Sequence, residues 1–431
     1  MTMAPVRLPE HLHHPFSPVG RTNPHPAYRW LRTHDPVHYD AASRLWLVTG
    51  HADCQTVLRD PRFSAAKGQR ERARDDALPP SMLTTDPPDH HRLRAPGALL
   101  LGPSAVRSIA GDLARDVDEL LDRLGRRPAA ERPDAVADIG RPLATAVFGR
   151  LFGLPTAEYA RFETLARAAS INLDPMVPPA RAALGRTAAA ALTRHLDAHT
   201  ATLTPGGSAA PLAAFAADDR LTRAEMLGVL NLAVVGGWQP LAELVGNALC
   251  TLLPDRAAVH RLATADDTSG EGGDAGGAGG DGGGEAARRA VDELLRLEAP
   301  IPFTARVTTD TVDLAGGTLP AGARVLAVIS AANRDPAVFA APDELRVDRH
   351  PNPHLAFGGG PHFCLAAQLV RQAGALLLPR LLRRFPGMRG PHGTPDWDRC
   401  LVPRRLRVFP VDLGVPGPDG TEPGTAEEDH R

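Results

Sequence analysis

Apolar residues recur at helical spacing through the middle of the chain. "AVRSIAGDLARDVDELLDRLGRR", residues 105–127, alternates apolar and charged faces and predicts an amphipathic helix stopping at Gly125. A longer apolar stretch covers residues 222–253. It opens on a capping box, Thr222 with Glu225, and runs about thirty residues, or roughly 45 Å. "GGWQPL", residues 236–241, interrupts it. In a helix interior each glycine costs roughly 1 kcal/mol and a proline about 3 kcal/mol. The pattern therefore predicts a kink at Pro240, whose missing N–H leaves the Gly236 carbonyl without its intrahelical partner. Period-two runs flank this body: "RLWLVTG" near the start, "ARVLAVIS" after the turn "LPAG", and "RRLRVFPVDL" near the end. With β-type runs at both ends, the chain is expected to fold back on itself as one unit, 1–431, mainly α with small β-sheets and a core of about 10–413.

Two segments have little to bury. Residues 268–285, "TSGEGGDAGGAGGDGGGE", predict a flexible, mildly acidic insert, and the tail 416–431 reads as equally unstructured. A net charge of −2 gives no electrostatic case for nucleic acid or a membrane surface. Lys67 is the one lysine among 48 basic residues, which with abundant Ala, Gly and Pro reflects coding composition more than function. The first twenty residues contain no apolar run of signal or anchor type, and Cys54, Cys250, Cys364 and Cys400 are few and widely spaced. Both point to a reducing cytoplasm and away from a disulfide framework.

The most informative stretch is "HLAFGGGPHFCLAAQLVR". Three glycines and a proline predict a tight loop, after which Cys364 opens an apolar helical run. A cysteine at a helix N-terminus faces free N–H groups and the positive end of the helix dipole, which lowers its pKa and favours a thiolate, a metal ligand or nucleophile. Taken alone, a lone cysteine is more often an ordinary buried residue.

Phe357, Gly360, His362 and Cys364 form F-x-x-G-x-H-x-C, which resembles the haem-ligand loop of the cytochrome P450 family; Ala366 stands where the family usually has glycine. The resemblance covers nearly the whole chain, from "DPVHYD" and "DPRFS" through "AANRDP" to the final β-type run. It implies the P450 fold, with haem b buried between the central long helix and the cysteine loop. Cys364 would be the axial iron ligand. Glu293 and Arg296 in "VDELLRLEAP", with Arg349 in "DELRVDR", match the family's buried structural network. His90 and Arg94 in "TTDPPDHHRLR", Arg306 in "FTARVTTD" and His362 match residues that hold the haem propionates. Asp86 and Pro87 are expected to cap and open the helix that carries the first pair.

The same resemblance makes the long central helix the oxygen side of the haem, where Gly236 and Gly237 let the backbone approach dioxygen. The chain departs from the family there. Gln239 replaces an acid and Pro240 replaces a threonine that normally help deliver protons, and neither supplies an acid or a hydroxyl. The expected function is a monooxygenase that oxidises a small organic molecule of specialised metabolism with electrons from a ferredoxin. A carrier protein bearing the substrate is a further partner that this reading allows. The departure keeps open peroxide use, oxidative coupling or ring formation, and group transfer; a non-catalytic haem-binding or recruitment domain is the remaining alternative. Arg371, Arg380, Arg383 and Arg384 suggest a basic docking face. Expected substrate contacts are "SAAKGQRERARDDALPPSM", "INLDPMVPPA", the segment around Trp238, "APIPFT" and "DRCLV".

Overall fold

The amphipathic stretch ahead of Gly125 forms the helix Pro103–Gly125, which buries Val106, Ile109, Leu113, Val117 and Leu120. Helices of this kind make up most of the computed structural model, which describes residues 8–66, 81–128, 130–175, 177–203, 210–265 and 284–414. In chain order they are α1 (His25–His34), α2 (His51–Arg59), α3 (Asp89–Leu101), α4 (Pro103–Gly125), α5 (Arg141–Phe152), α6 (Tyr159–Ala169) and α7 (Pro179–Thr200). There follow α8 (Pro211–Ala216), α9 (Arg223–Ala233), α10 (Gln239–Leu252), α11 (Arg256–Ala263), α12 (Glu285–Leu297), α13 (Ile329–Ala332) and α14 (Ala367–Arg384). Among the described residues no helix is long and apolar enough to cross a membrane.

The strands are β1 (Val37–Asp40), β2 (Leu45–Val48), β3 (Phe63–Ser64), β4 (Thr304–Thr308), β5 (Val312–Leu314), β6 (Gly317–Leu319), β7 (Arg324–Ala327), β8 (Asp396–Trp397) and β9 (Leu406–Val408). Five of them form one sheet in the order β1-β2-β7-β4-β3. Its centre is the parallel pairing of β2 with β7, Trp46 opposite Val325 and Val48 opposite Ala327, so the first two sequence-predicted runs meet directly. The last run joins a different ladder, β8–β9, and bridges Pro410 to Asp134. "FTARVTTD" gave no strand signal, yet it forms β4 between β7 and β3.

The long central stretch is broken, though not at its proline. Thr222 and Glu225 form the expected capping box, α9 ends at Ala233, and Val234–Trp238 is a π-helical turn. Pro240 then falls in the first turn of α10. A π turn reaches one residue further back for each hydrogen bond, so the register shifts before the proline. Pro240 arrives where a missing N–H costs least. The kink is therefore located on the turn that carries Gly236 and Gly237. Two other boundaries also move. Pro88, not Asp86, is the N-cap of α3; the Asp86 carboxylate instead accepts the Ala65 N–H at 2.8 Å and the Ser64 hydroxyl. Of the predicted insert, Glu285 is the first residue of α12, while 268–283 and the tail 416–431 lie outside the described residues.

The amphipathic helix α12 buries charge as well as apolar surface. Glu293 and Arg296 are 0% exposed. Arg296 donates to both carboxylate oxygens, Nε to Oε2 at 2.7 Å and Nη2 to Oε1 at 2.8 Å. Arg349 Nε is shared between the same two oxygens at 3.0 Å. The Arg346 N–H and Asn352 Nδ2 complete the set, and Arg296 Nη1 satisfies the carbonyls of Asn333 and Pro342. The structure thus brings Glu293, Arg296 and Arg349 together with every lone pair used. Breaking one side of such a group leaves a buried charge without its counter-charge. Glu293→Gln should lower the unfolding free energy by about 3–5 kcal/mol in urea titrations. Arg380→Ala, which removes an exposed pair with Asp118, should cost under about 1 kcal/mol.

Candidate functional site

The cysteine loop is built by close backbone approach. Gly358 and Gly360 adopt φ of +71° and +60°, in the left-handed region that favours glycine. A Cβ on Gly360 would also lie 2.5 Å from the Leu58 carbonyl oxygen, so the loop sits directly on α2. The Cys364 N–H closes the loop onto the Phe357 carbonyl at 2.8 Å, and Arg94 Nη2 reaches from α3 to the Phe363 carbonyl at 2.7 Å. Phe357 is held from behind. Arg371 lies over its ring, 4.6 Å from the centroid, and donates to Asp292 at 2.7 Å; His354 meets the same carboxylate at 3.1 Å. Asp292 and His354 carried no sequence signal that separated them from surface residues.

The cysteine's electrostatics differ from the sequence expectation. Helix α14 begins only at Ala367 with Ala366 as its N-cap, so Cys364 precedes the first turn. Burial pushes its free thiol pKa up, and this outweighs a backbone hydrogen bond from Ala366 and the positive charges of Arg94 and Arg371. A buried, electron-rich sulfur of this kind becomes an anion when a cation binds it.

Four basic side chains converge beside it. The His90 and His362 rings lie 4.3 Å apart. Burial, then the nearby positive charge of Arg94, pulls the His90 pKa down to about 4; burial, then Arg306 and His90, pulls His362 down to about 3. Burial also lowers Arg306, to about 10. His90 is 0% exposed, yet neither of its ring nitrogens has a hydrogen-bond partner. Arg306 is buried and bonds to Thr304 and to the Ala305 carbonyl, with Asp86 as the carboxylate facing it. Buried donors that repel one another form a receptor for an anion of more than one charge. A flat metal-bearing group with two carboxylates fits these donors and the Cys364 sulfur.

The broken central helix carries the remaining residues that the sequence singled out. Gly236 is exposed although Ala233, Val234, Trp238 and Gln239 around it are buried. A Cβ on it would find one neighbour, Leu232 Cδ1 at 3.4 Å. Gly237 turns elsewhere, since its Cβ would meet Phe148 Cζ at 2.6 Å. Trp238 is 0% exposed and donates to Thr145 at 3.1 Å, so its side chain faces α5. The Gln239 amide is turned to Glu243, one turn along α10, a buried acid the sequence reading passed over. Of the four arginines expected on a docking face, Arg371 is turned inward to Asp292, Arg380 pairs with Asp118, Arg384 lies over Phe385 and Arg383 approaches the Ala263 carbonyl. Residues 67–80 and Met176 of the expected substrate contacts lie outside the described residues.

The two glycines therefore make opposite predictions. Gly237→Ala should be destabilising by about 1–3 kcal/mol through overpacking on Phe148. Gly236→Ala should be neutral or stabilising by up to about 1 kcal/mol from helix propensity. Thermal unfolding of the two variants checks this, and equal effects would contradict the placement.

Known proteins resemble this chain along most of its length. The family model described as Cytochrome P450 matches residues 286–393. Nocardicin C N-oxygenase of Nocardia uniformis subsp. tsuyamanensis is 35% identical over 398 residues, 87% of this chain and 92% of that protein. Cytochrome P450 monooxygenase PikC of Streptomyces venezuelae is 31% identical, over 90% of this chain and 91% of that protein. Among solved structures, P450BioI in complex with a hexadec-9Z-enoic acid ligated acyl carrier protein superposes with a TM-score of 0.80 at 25% identity, covering 92% of this chain and 99% of that one.

Proposed function

The chain belongs to the cytochrome P450 family and is a haem-dependent monooxygenase, and on that premise we propose that it oxidises a small organic molecule of specialised metabolism in the cytoplasm. The observation that carries the site assignment is the convergence of His90, Arg94, Arg306 and His362 beside the Cys364 loop, with both ring nitrogens of the buried His90 lacking a hydrogen-bond partner. Haem b held there would supply iron for dioxygen chemistry, and Cys364 is the residue that would ligate it. Arg94 and Arg306 would neutralise its carboxylates, while His90 and His362 would donate to them as neutral rings. Arg94 also fixes the loop through the Phe363 carbonyl, so cofactor binding and loop geometry share one side chain. Gly236 keeps the opposite wall free of side chain where dioxygen and substrate must fit.

The substrate reading leans on the relatives. One is an N-oxygenase and another a monooxygenase, which favours an elaborated natural-product scaffold with an oxidisable carbon or nitrogen. The likeness to a P450 solved with an acyl carrier protein supports a substrate delivered on such a carrier. Electrons come from a separate redox protein, of which a ferredoxin is the type proposed. A second reading, chemistry other than hydroxylation, is favoured by one observation. Gln239 and Pro240 stand in the first turn of α10 with no acid or hydroxyl of their own.

Cys364→Ser should abolish the red-shifted Soret band of the reduced carbon monoxide complex. A retained band would overturn the ligand assignment. Turnover of pooled candidate substrates with dioxygen and a ferredoxin system, against hydrogen peroxide alone, separates the two readings. A monooxygenase yields product chiefly in the first arm, whereas equal or greater yield in the second favours peroxide chemistry.

A further inference from the structure

Glu243 lies on α10, one turn beyond Gln239, and is 1% exposed. Gln239, 2% exposed, donates its Nε2–H to Glu243 Oε1. The other oxygen, Oε2, is buried without a hydrogen-bond partner, and among the described residues Glu243 forms no ion pair. This differs from Glu293, whose two guanidiniums fix it as an anion. The charged groups that face Glu243 are Arg405 just before β9, Arg141 at the start of α5, and Asp398 just after β8. Arg405 is already engaged by Asp398, at 3.2 and 3.1 Å. Arg141 comes near because Gly140 packs on α10, where a Cβ would lie 2.2 Å from the Ala242 carbonyl oxygen. Burial outweighs both arginines and the Gln239 hydrogen bond, and the carboxyl's pKa rises to about 7. A group poised near neutrality can both give and regain a proton under working conditions.

Gln239 suits such a partner. A guanidinium would lock the carboxylate form. An amide offers an N–H to the carboxylate and, turned over, a carbonyl to the protonated acid. The pair can therefore stay joined in both states. Gln239 and Glu243 are four apart on α10, which puts them on one side of that helix, and the π-helical turn that carries Gly236 leads directly into Gln239. The open position of Gly236 lies three residues before Gln239 in the chain.

A monooxygenase takes up protons as well as electrons, because one oxygen atom of dioxygen leaves as water. From this arrangement we propose that Glu243 is the proton-holding residue of the oxygen side and that Gln239 is the positioning residue connecting it to the groove at Gly236, an inference that rests on the monooxygenase reading above. The O–H bond at Glu243 Oε2 breaks and the proton passes to a water molecule. The carboxylate is held by the Gln239 N–H until solvent reprotonates it. No electron moves in this step.

The first readout needs no turnover. Infrared difference spectra of wild type minus Glu243→Gln, in the ferric protein, should show the carbonyl stretch of a protonated carboxyl that vanishes as pH rises through about 7. A carboxyl whose folded pKa is raised stabilises the fold below its unfolded pKa, and this contribution is lost as pH rises through the folded one. The Tm of wild type relative to Glu243→Gln should therefore fall between about pH 4.5 and about pH 7. In turnover, product formed per reduced nicotinamide consumed should drop several-fold in Glu243→Gln and in Gln239→Ala, and recover in part in Glu243→Asp. In wild type this coupling falls as pH rises through about 7; in Glu243→Gln it is flat. Gln239→Ala should keep the infrared band, because the acid remains and only its connection is lost. Superimposable infrared spectra and Tm profiles for wild type and Glu243→Gln overturn the proposal, as does unchanged coupling in both variants. The carbon monoxide spectrum of each variant reports on Cys364 separately, so failure of the relay and failure of the haem assignment remain distinguishable.

Discussion

Two adjacent carboxylates on α12 support the delivery of Cys364. Glu293 is clamped by Arg296 and Arg349 in the core, which fixes the irregular segment that ends at Asn352. Asp292, its neighbour, holds His354 and Arg371, and Arg371 lies over Phe357, whose carbonyl receives the Cys364 N–H. A single helical turn thus sets the path of the chain from the core network to the sulfur. An amphipathic helix normally presents one apolar face; here the buried face carries a charge that only fixed partners can satisfy. This specifies the loop position more sharply than apolar contacts do, because a guanidinium fork tolerates little displacement.

The proposed cofactor grip is set by a different imbalance. His90, Arg94, Arg306 and His362 gather with little negative charge beside them, and the two histidines are driven neutral. Such a cluster opposes its own folding until an anion arrives. Glu243 on α10 shows the reverse. Arg405 and Arg141 stand near Glu243, but burial prevails and the acid is left poised. Desolvation shifts both sets of groups, lowering the two histidines and raising the acid.

Legibility in the sequence followed locality. The Cys364 loop, the capping box and α4 were readable because their determinants are a few residues apart. Glu293, Arg296, Arg349 and the basic quartet were readable only through family resemblance, since pairs such as Glu293–Arg296 look like any surface ion pair in one dimension. Three features had no sequence signal. The strand β4 pairs with β7 and β3 without a period-two pattern of its own. Gly236 and Gly237 are equivalent in the sequence, and only Phe148 distinguishes them. Arg371 could not be told from a docking residue until Asp292 and Phe357 were placed beside it. The kink was foreseen at Pro240 because proline is the known helix breaker; the π turn took up the distortion one turn earlier.

The parallel pairing of β2 with β7 has a consequence for biogenesis. Residues 46–48 pair with β1 on one edge, but their other edge has no partner until residues 325–327 exist. The residues proposed to hold haem divide in the same way, with His90 and Arg94 early in the chain and Arg306, His362 and Cys364 late. At the usual elongation rate of about 5–20 residues per second, the nascent polypeptide spends on the order of 10 s or more exposing an unmatched strand edge. The grip is complete only when nearly the whole chain has left the ribosome. On the proposed assignment, haem capture follows the synthesis of nearly the whole chain.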